Sequence, residues 1–233
     1  MIFRRKAKNE ETEAAEPVRG DAFFEDIEKE QADAAQAETD ARGTRTDGPF
    51  DSTEVPHEEL HAEDRIDLGG LVITGLPGME LRLQVDEQTN EVQAVLLVLE
   101  DSALELRAFA APKTAGIWDD VRREIAAEAT RMGGTATEAD GPFGTELVLV
   151  VPVTDPDSGQ VFSQTSRVIG VDGPRWLLRG TILGRAGVEP EAAKPMEESF
   201  RKVVVVRGSE PMAPRESLAL QLPGGMQPGE EEA

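Results

Sequence analysis

Residues 167–181 read RVIGVDGPRWLLRGT. Two apolar runs flank Asp172-Gly173, the dipeptide that most often marks a tight hairpin. Trp176 follows the turn, and Arg167, Arg175 and Arg179 surround it in an otherwise acidic chain. Side chains alternate along a strand, so Trp176, Leu178, Gly180 and Ile182 share one face. Arg175, Leu177, Arg179 and Thr181 share the other. The stretch therefore predicts a central hairpin with its largest side chain in the core and its arginines on the face opposite Trp176.

Strand patterns lead up to that hairpin. Leu71–Thr74 is apolar and stops at Gly75 and Pro77-Gly78. Leu81, Leu83 and Val85 alternate with Arg82 and Gln84, which predicts one buried and one wet face. Val92–Leu99 is apolar at both parities, and a turn at Asp101-Ser102 leads into Ala103–Ala111. These three runs predict successive antiparallel strands. Trp118, Val121, Ile125, Ala129 and Met132 recur at steps of three and four, one stripe of an amphipathic helix that Gly133-Gly134 ends. Thr135–Glu138, Glu146–Val153 and Val161–Val171 are further strand candidates.

After the hairpin, Pro190 is tolerated in a first helical turn, but Pro195 predicts a delayed or kinked helix from Pro195 to Lys202. Val203–Val206 reads as a final strand. The order of strands, helix, strands, helix and strand, with mostly short connections, predicts an α+β domain. Its sheet is largely antiparallel and is flanked by two helices.

The flanks differ in composition. Residues 1–65 hold nine Lys/Arg against nineteen Asp/Glu and few large apolar side chains, which predicts a disordered acidic arm. Within it, Asp21 stands where a helix cap would, with Phe23, Phe24 and Ile27 on one side. This is either a short docking helix or two aromatics in an unstructured arm. Arg4, Arg5, Lys6 and Lys8 give the arm a basic start with weak attraction for an anionic membrane surface, opposed by the acids from Glu10 onward. The single domain is placed at 66–207. Residues 208–233 read as an extended, partly docking tail, in which Leu218, Leu220 and Leu222 alternate.

The string Gly116–Glu128 (GIWDDVRREIAAE) is similar to segments of an actinobacterial family of soluble proteins classed as a domain of unknown function. So are Gly141–Leu147 (GPFGTEL), Val171–Gly180 (VDGPRWLLRG) and Val203–Glu216 (VVVVRGSEPMAPRE), over roughly residues 66–222. The resemblance implies no activity. The element order also resembles PsbP-like and Mog1-like domains, whose antiparallel sheets carry flanking helices. That second resemblance implies a protein-binding role, and fold does not fix function.

Charge and residue types narrow the chemistry. The chain of 233 residues carries a net charge of −22, which opposes non-specific binding to a nucleic-acid backbone. No apolar run approaches the ~20 residues of a spanning helix, and no secretory signal pattern follows the start, so a cytoplasmic protein is expected. There is no Cys and no Tyr, and His57 and His61 are the only histidines. These two frame His57-Glu58-Glu59-Leu60-His61, which matches the H-E-x-x-H pattern of zinc proteases. Pro56 precedes it, charge surrounds it, and it has no apolar face. It reads as a solvated linker, with a zinc hydrolase as a remote alternative and no cofactor expected. The candidate binding residues are Arg167, Asp172, Arg175, Trp176 and Arg179, where guanidinium groups either receive an anion or pair with the domain's own acids. The expectation is a non-enzymatic protein-interaction or regulatory module. The alternative is a binder of a small anionic ligand at this hairpin.

Overall fold

The structure, a computed structural model, describes residues 47–86, 91–155 and 158–222. The readings made for Arg4, Arg5, Lys6, Lys8 and Phe23–Ile27 lie outside these residues. The strands are β1 (Phe50–Asp51), β2 (Arg65–Asp67), β3 (Leu71–Thr74), β4 (Glu80–Val85), β5 (Val92–Leu99) and β6 (Ser102–Ala110). They continue with β7 (Thr135–Gly141), β8 (Gly144–Thr154), β9 (Val161–Gly173), β10 (Trp176–Gly184) and β11 (Val204–Val205). The helices are α1 (His57–Leu60), α2 (Trp118–Arg131) and α3 (Pro190–Lys202).

Seven strands build an antiparallel sheet in the order β4-β5-β6-β10-β9-β8-β7, with β10 at its centre. The other four form a small mixed sheet, β1-β11-β3-β2, in which β1 and β11 run parallel. The class is α+β. A separate small sheet was not expected. Val203–Val206 does not extend the large sheet; its middle two residues close the small one, fully buried between β1 and β3.

Alternation decides which helix covers which face. Trp176, Leu178 and Ile182 of β10 pack with Leu104 and Leu106 of β6 and Val95 and Leu97 of β5. Helix α3 seals that face with Ala193, Met196 and Phe200, and the small sheet adds Leu71, Ile73 and Val205. On the opposite face, Leu177 packs with Leu147 and Val168 beneath Trp118, Val121 and Ile125 of α2. The start of β10, Trp176–Leu178, is apolar at both parities because α3 covers one side of it and α2 the other.

Helix α3 starts at Pro190 and continues through Pro195, earlier than expected. The proline removes one backbone hydrogen bond, and the fully buried Met196 and Phe200 on the same helix offset that loss. The paired chain also begins earlier than Ile66. Phe50 donates its backbone N–H to Val203, and Asp51 is 5 % exposed. A two-residue strand with one carboxylate carries no periodicity, so composition alone hid it.

Beyond β11 the chain docks. Leu218 N–H donates to the Ala108 carbonyl at 2.9 Å and Gln221 N–H to the Leu68 carbonyl at 2.9 Å. Leu218 and Leu220 are buried in the main core. Among the described residues no helix is long and apolar enough to cross a membrane.

Candidate functional site

The central hairpin turns two residues later than expected. Gly173 pairs with Trp176, and Pro174-Arg175 makes the turn, with Arg175 at φ 64°. Proline presets the first central position of such a turn, and the second requires positive φ. Glycine is needed at 173 for another reason: a Cβ there would run into the Trp176 ring.

This register separates the five candidate residues. Trp176 is 0 % exposed, and its Nε1 donates to Asp51 Oδ2 at 2.7 Å. Asp172 caps α2 across the fold. Its Oδ1 accepts from Ile117 N–H at 2.8 Å, and Oδ2 accepts from Trp118 N–H at 3.2 Å. Arg175 lies in the turn, where its carbonyl accepts from Ala111 N–H at 2.8 Å and from Arg207 Nε at 3.2 Å.

Arg167 requires a correction. It pairs with Ile182, and residues opposite each other on antiparallel strands share a face, so it lies on the Trp176 face rather than with Arg179. There it donates to Glu146 at 2.7 and 2.9 Å and meets Glu197 of α3 at 2.8 Å. The hydrogen bond it donates to Glu146 is the main cause that raises its pKa above the usual value; burial opposes it.

Arg179 alone of the three faces the half of the sheet beside α2. Helix α2 lies over β7, β8 and β9. On that same face, no helix among the described residues packs over β4, β5 and β6. Two cross-strand pairs line this open half, Gln84 with Ala94 on β4–β5 and Arg107 with Arg179 on β6–β10, and the second continues to Gly170 on β9. The Trp118 ring closes that end, where it would meet any Cβ at Gly170.

Arg107 and Arg179 stand directly opposite each other. Like charges in that position destabilise a sheet. Glu105 partly compensates. Its Oε1 accepts from Arg107 Nε at 2.9 Å and stands 3.7 Å from Arg179. Arg107 also reaches Gln84 at 3.5 Å.

The Arg179 guanidinium makes no hydrogen bond with the described residues. It lies 5.4 Å from the centre of the Phe109 ring, and its side chain is only 21 % exposed. Burial first, and the Arg107 charge second, lower its pKa from the ordinary value, with Glu105 opposing. Two guanidinium groups thus share one carboxylate on a half-buried face, and one of them keeps open donors. The arrangement suits a carboxylate or phosphate group.

Sequence reasoning named Arg179 but missed Arg107. The alternation of Leu104, Leu106 and Ala108 already put Arg107 with Glu105 and Phe109 on the second face. Only the β6–β10 register brings it against Arg179.

Two other features lie apart from these pairs. His57–Leu60 forms a single helical turn with no buried residue, and the His57 and His61 rings meet edge to face at 4.6 Å. Among the described residues, no group of three or more His, Asp or Glu is placed to hold a metal ion. A cavity of about 310 Å³ opens between the β5–β6 turn and the start of α3, lined by Glu100, Ser102, Arg185, Glu189 and Met196. Arg185 already pairs there with Glu100 and Asp101.

The model of the family described as Protein of unknown function (DUF3710) matches residues 48–229, and the chain belongs to that family. The match begins two residues before β1. No curated protein matches the chain.

Proposed function

We propose that this DUF3710 chain is a non-enzymatic protein-interaction module that receives an acidic group of its partner on the open half of the large sheet. One observation carries the reading. Arg107 and Arg179 are direct cross-strand neighbours, and Arg179 keeps its donors open over Phe109. A sheet that serves only its own stability gains nothing from opposed like charges. An incoming carboxylate turns that repulsion into two charge-assisted contacts.

Apolar neighbours support a polypeptide rather than a lone small anion. Leu96, Val98, Phe109 and Leu183 are half-buried on the same face. They offer area next to the charge, as interface centres do, where arginine and aromatic residues dominate. The non-enzymatic part rests on the residue inventory. The domain beyond His61 has no His, Cys or Tyr for acid–base or nucleophilic work.

Affinity purification from the native cell tests this, with wild-type and Arg179→Gln baits of equal melting temperature. The expected result is a partner with an acidic surface that the wild type recovers and the variant loses. The same proteins at the same yield on both baits would overturn the reading.

A further inference from the structure

We infer that Arg175 and Arg207 form a separate anion site, which receives one dianionic phosphoryl group beside the turn between β9 and β10. The inference goes beyond the Arg107–Arg179 reading and stands without it.

Hydrogen bonds to backbone carbonyls bring the two side chains together. Arg207 follows β11 by two residues, and its Nε donates to the Arg175 carbonyl at 3.2 Å. Its Nη1 donates to the Glu210 carbonyl at 3.1 Å, and Arg175 Nη2 reaches the same oxygen at 3.4 Å. The two guanidinium groups are therefore one oxygen atom apart. Like charges that close repel, and Arg207 is only 8 % exposed. Burial first, and the Arg175 charge second, lower the Arg207 pKa from the ordinary value, with Glu216 opposing.

No carboxylate among the described residues pairs with either arginine. Glu216 turns its Oε2 to the Ala213 N–H at 2.9 Å instead. A buried guanidinium held by neutral carbonyls keeps its charge uncompensated. Arg207 Nη2 makes no hydrogen bond with the described residues. It is not sealed off either, because Arg65 Nη1 is the one enclosed side-chain nitrogen or oxygen that lacks a partner among them.

A second observation concerns Arg175. Its φ of 64° is a left-handed conformation that glycine adopts freely and arginine does not. Its backbone carbonyl accepts from Ala111 N–H and Arg207 Nε, which a glycine carbonyl would do as well. Among the described residues the side chain has only the 3.4 Å contact with Glu210. Backbone strain of this kind collects at ligand sites, and here it keeps a second guanidinium beside the buried one.

Charge selects the ligand. At the Arg107–Arg179 pair, Glu105 offsets one of the two charges and leaves a match for a single carboxylate. At Arg175 and Arg207 both charges stand. A phosphate monoester carries about −1.5 to −2 at pH 7 and three acceptor oxygens, so it meets both groups.

The test titrates phenyl phosphate into the full chain at low salt, read by calorimetry. Arg175→Gly removes one guanidinium where glycine suits the backbone, so its melting temperature should match the wild type. It is expected to bind phenyl phosphate about tenfold more weakly, the loss of one charge-assisted contact. Arg207→Lys, which keeps the charge but not the fork, should weaken binding as well. Arg179→Gln should bind as the wild type does. Inorganic phosphate is titrated alongside; the tighter of the two tells whether the site takes an ester or the free ion, and either order supports the inference.

Absence of binding by both phosphates overturns it, as does an Arg175→Gly affinity equal to that of the wild type. Binding lost in Arg179→Gln but kept in Arg175→Gly moves the phosphate to the open half of the sheet and overturns it too. Benzoate bound as tightly as phenyl phosphate overturns the assignment to a dianion. None of these results bears on whether Arg179→Gln loses a protein partner, so the two readings fail separately.

Discussion

Trp176 and Arg179 sit three residues apart on one strand and face opposite ways. Removing the Trp176 ring leaves a core cavity and takes the indole donor from the buried Asp51. Trp176→Ala should cost about 3–5 kcal/mol, a large share of the ~5–15 kcal/mol of a typical domain. Arg179→Ala removes one of two opposed charges and should change stability by no more than about 0.5 kcal/mol. Thermal melts of the two variants check the contrast, and equal losses would contradict it. Strand alternation in the sequence was enough to place Trp176, Leu178 and Ile182 together. It was not enough to find Asp51 or Arg107, because both meet their partners through register between distant strands. Arg167 was misplaced for the same reason: its face follows from pairing with Ile182, not from its distance along the chain to Arg179.

At the scale of elements, the hairpin turn and the start of α2 are one device. Placing the turn at Pro174-Arg175 leaves Asp172 within the strand, aimed at the backbone of Ile117 and Trp118. A carboxylate at a helix N-terminus satisfies free N–H groups and complements the helix dipole. Asp172→Ala should therefore cost about 0.5–2 kcal/mol. It should also speed amide exchange at Ile117–Val121 while leaving the last turn of α2 unchanged. Uniform exchange along the helix would show that the cap does not hold its first turn. The Asp-Gly signal was read as the turn because short-range statistics favour it; the long-range use of Asp172 overrode them. Strand and helix positions were otherwise marked by pattern, except for β1 and β2, which are too short to have a period, and for the first turn of α3, which Pro195 hid.

At the scale of the molecule, the large sheet needs both flanking helices, and its main core needs the small sheet and the docked segment from Leu218 to Leu220. Limited proteolysis should therefore stop near Asp47 at one end and near Leu222 at the other, read by mass spectrometry. A stable product starting at Ile66 would show that β1 is dispensable. The α+β class and the antiparallel meander follow from pattern and connection length. The division into two sheets does not, because it depends on pairing between the first and last strands.

The contact between Asp51 and Trp176 also sets a timetable for synthesis. The two residues are 125 positions apart, so at ~5–20 residues per second Asp51 leaves the ribosome roughly 6–25 s before its indole. The β1–β11 pair waits longer still. While the chain is being made, the meander from β4 to β6 emerges with its Trp176-side face bare. The last strand to appear closes the first, and only then is that face fully covered.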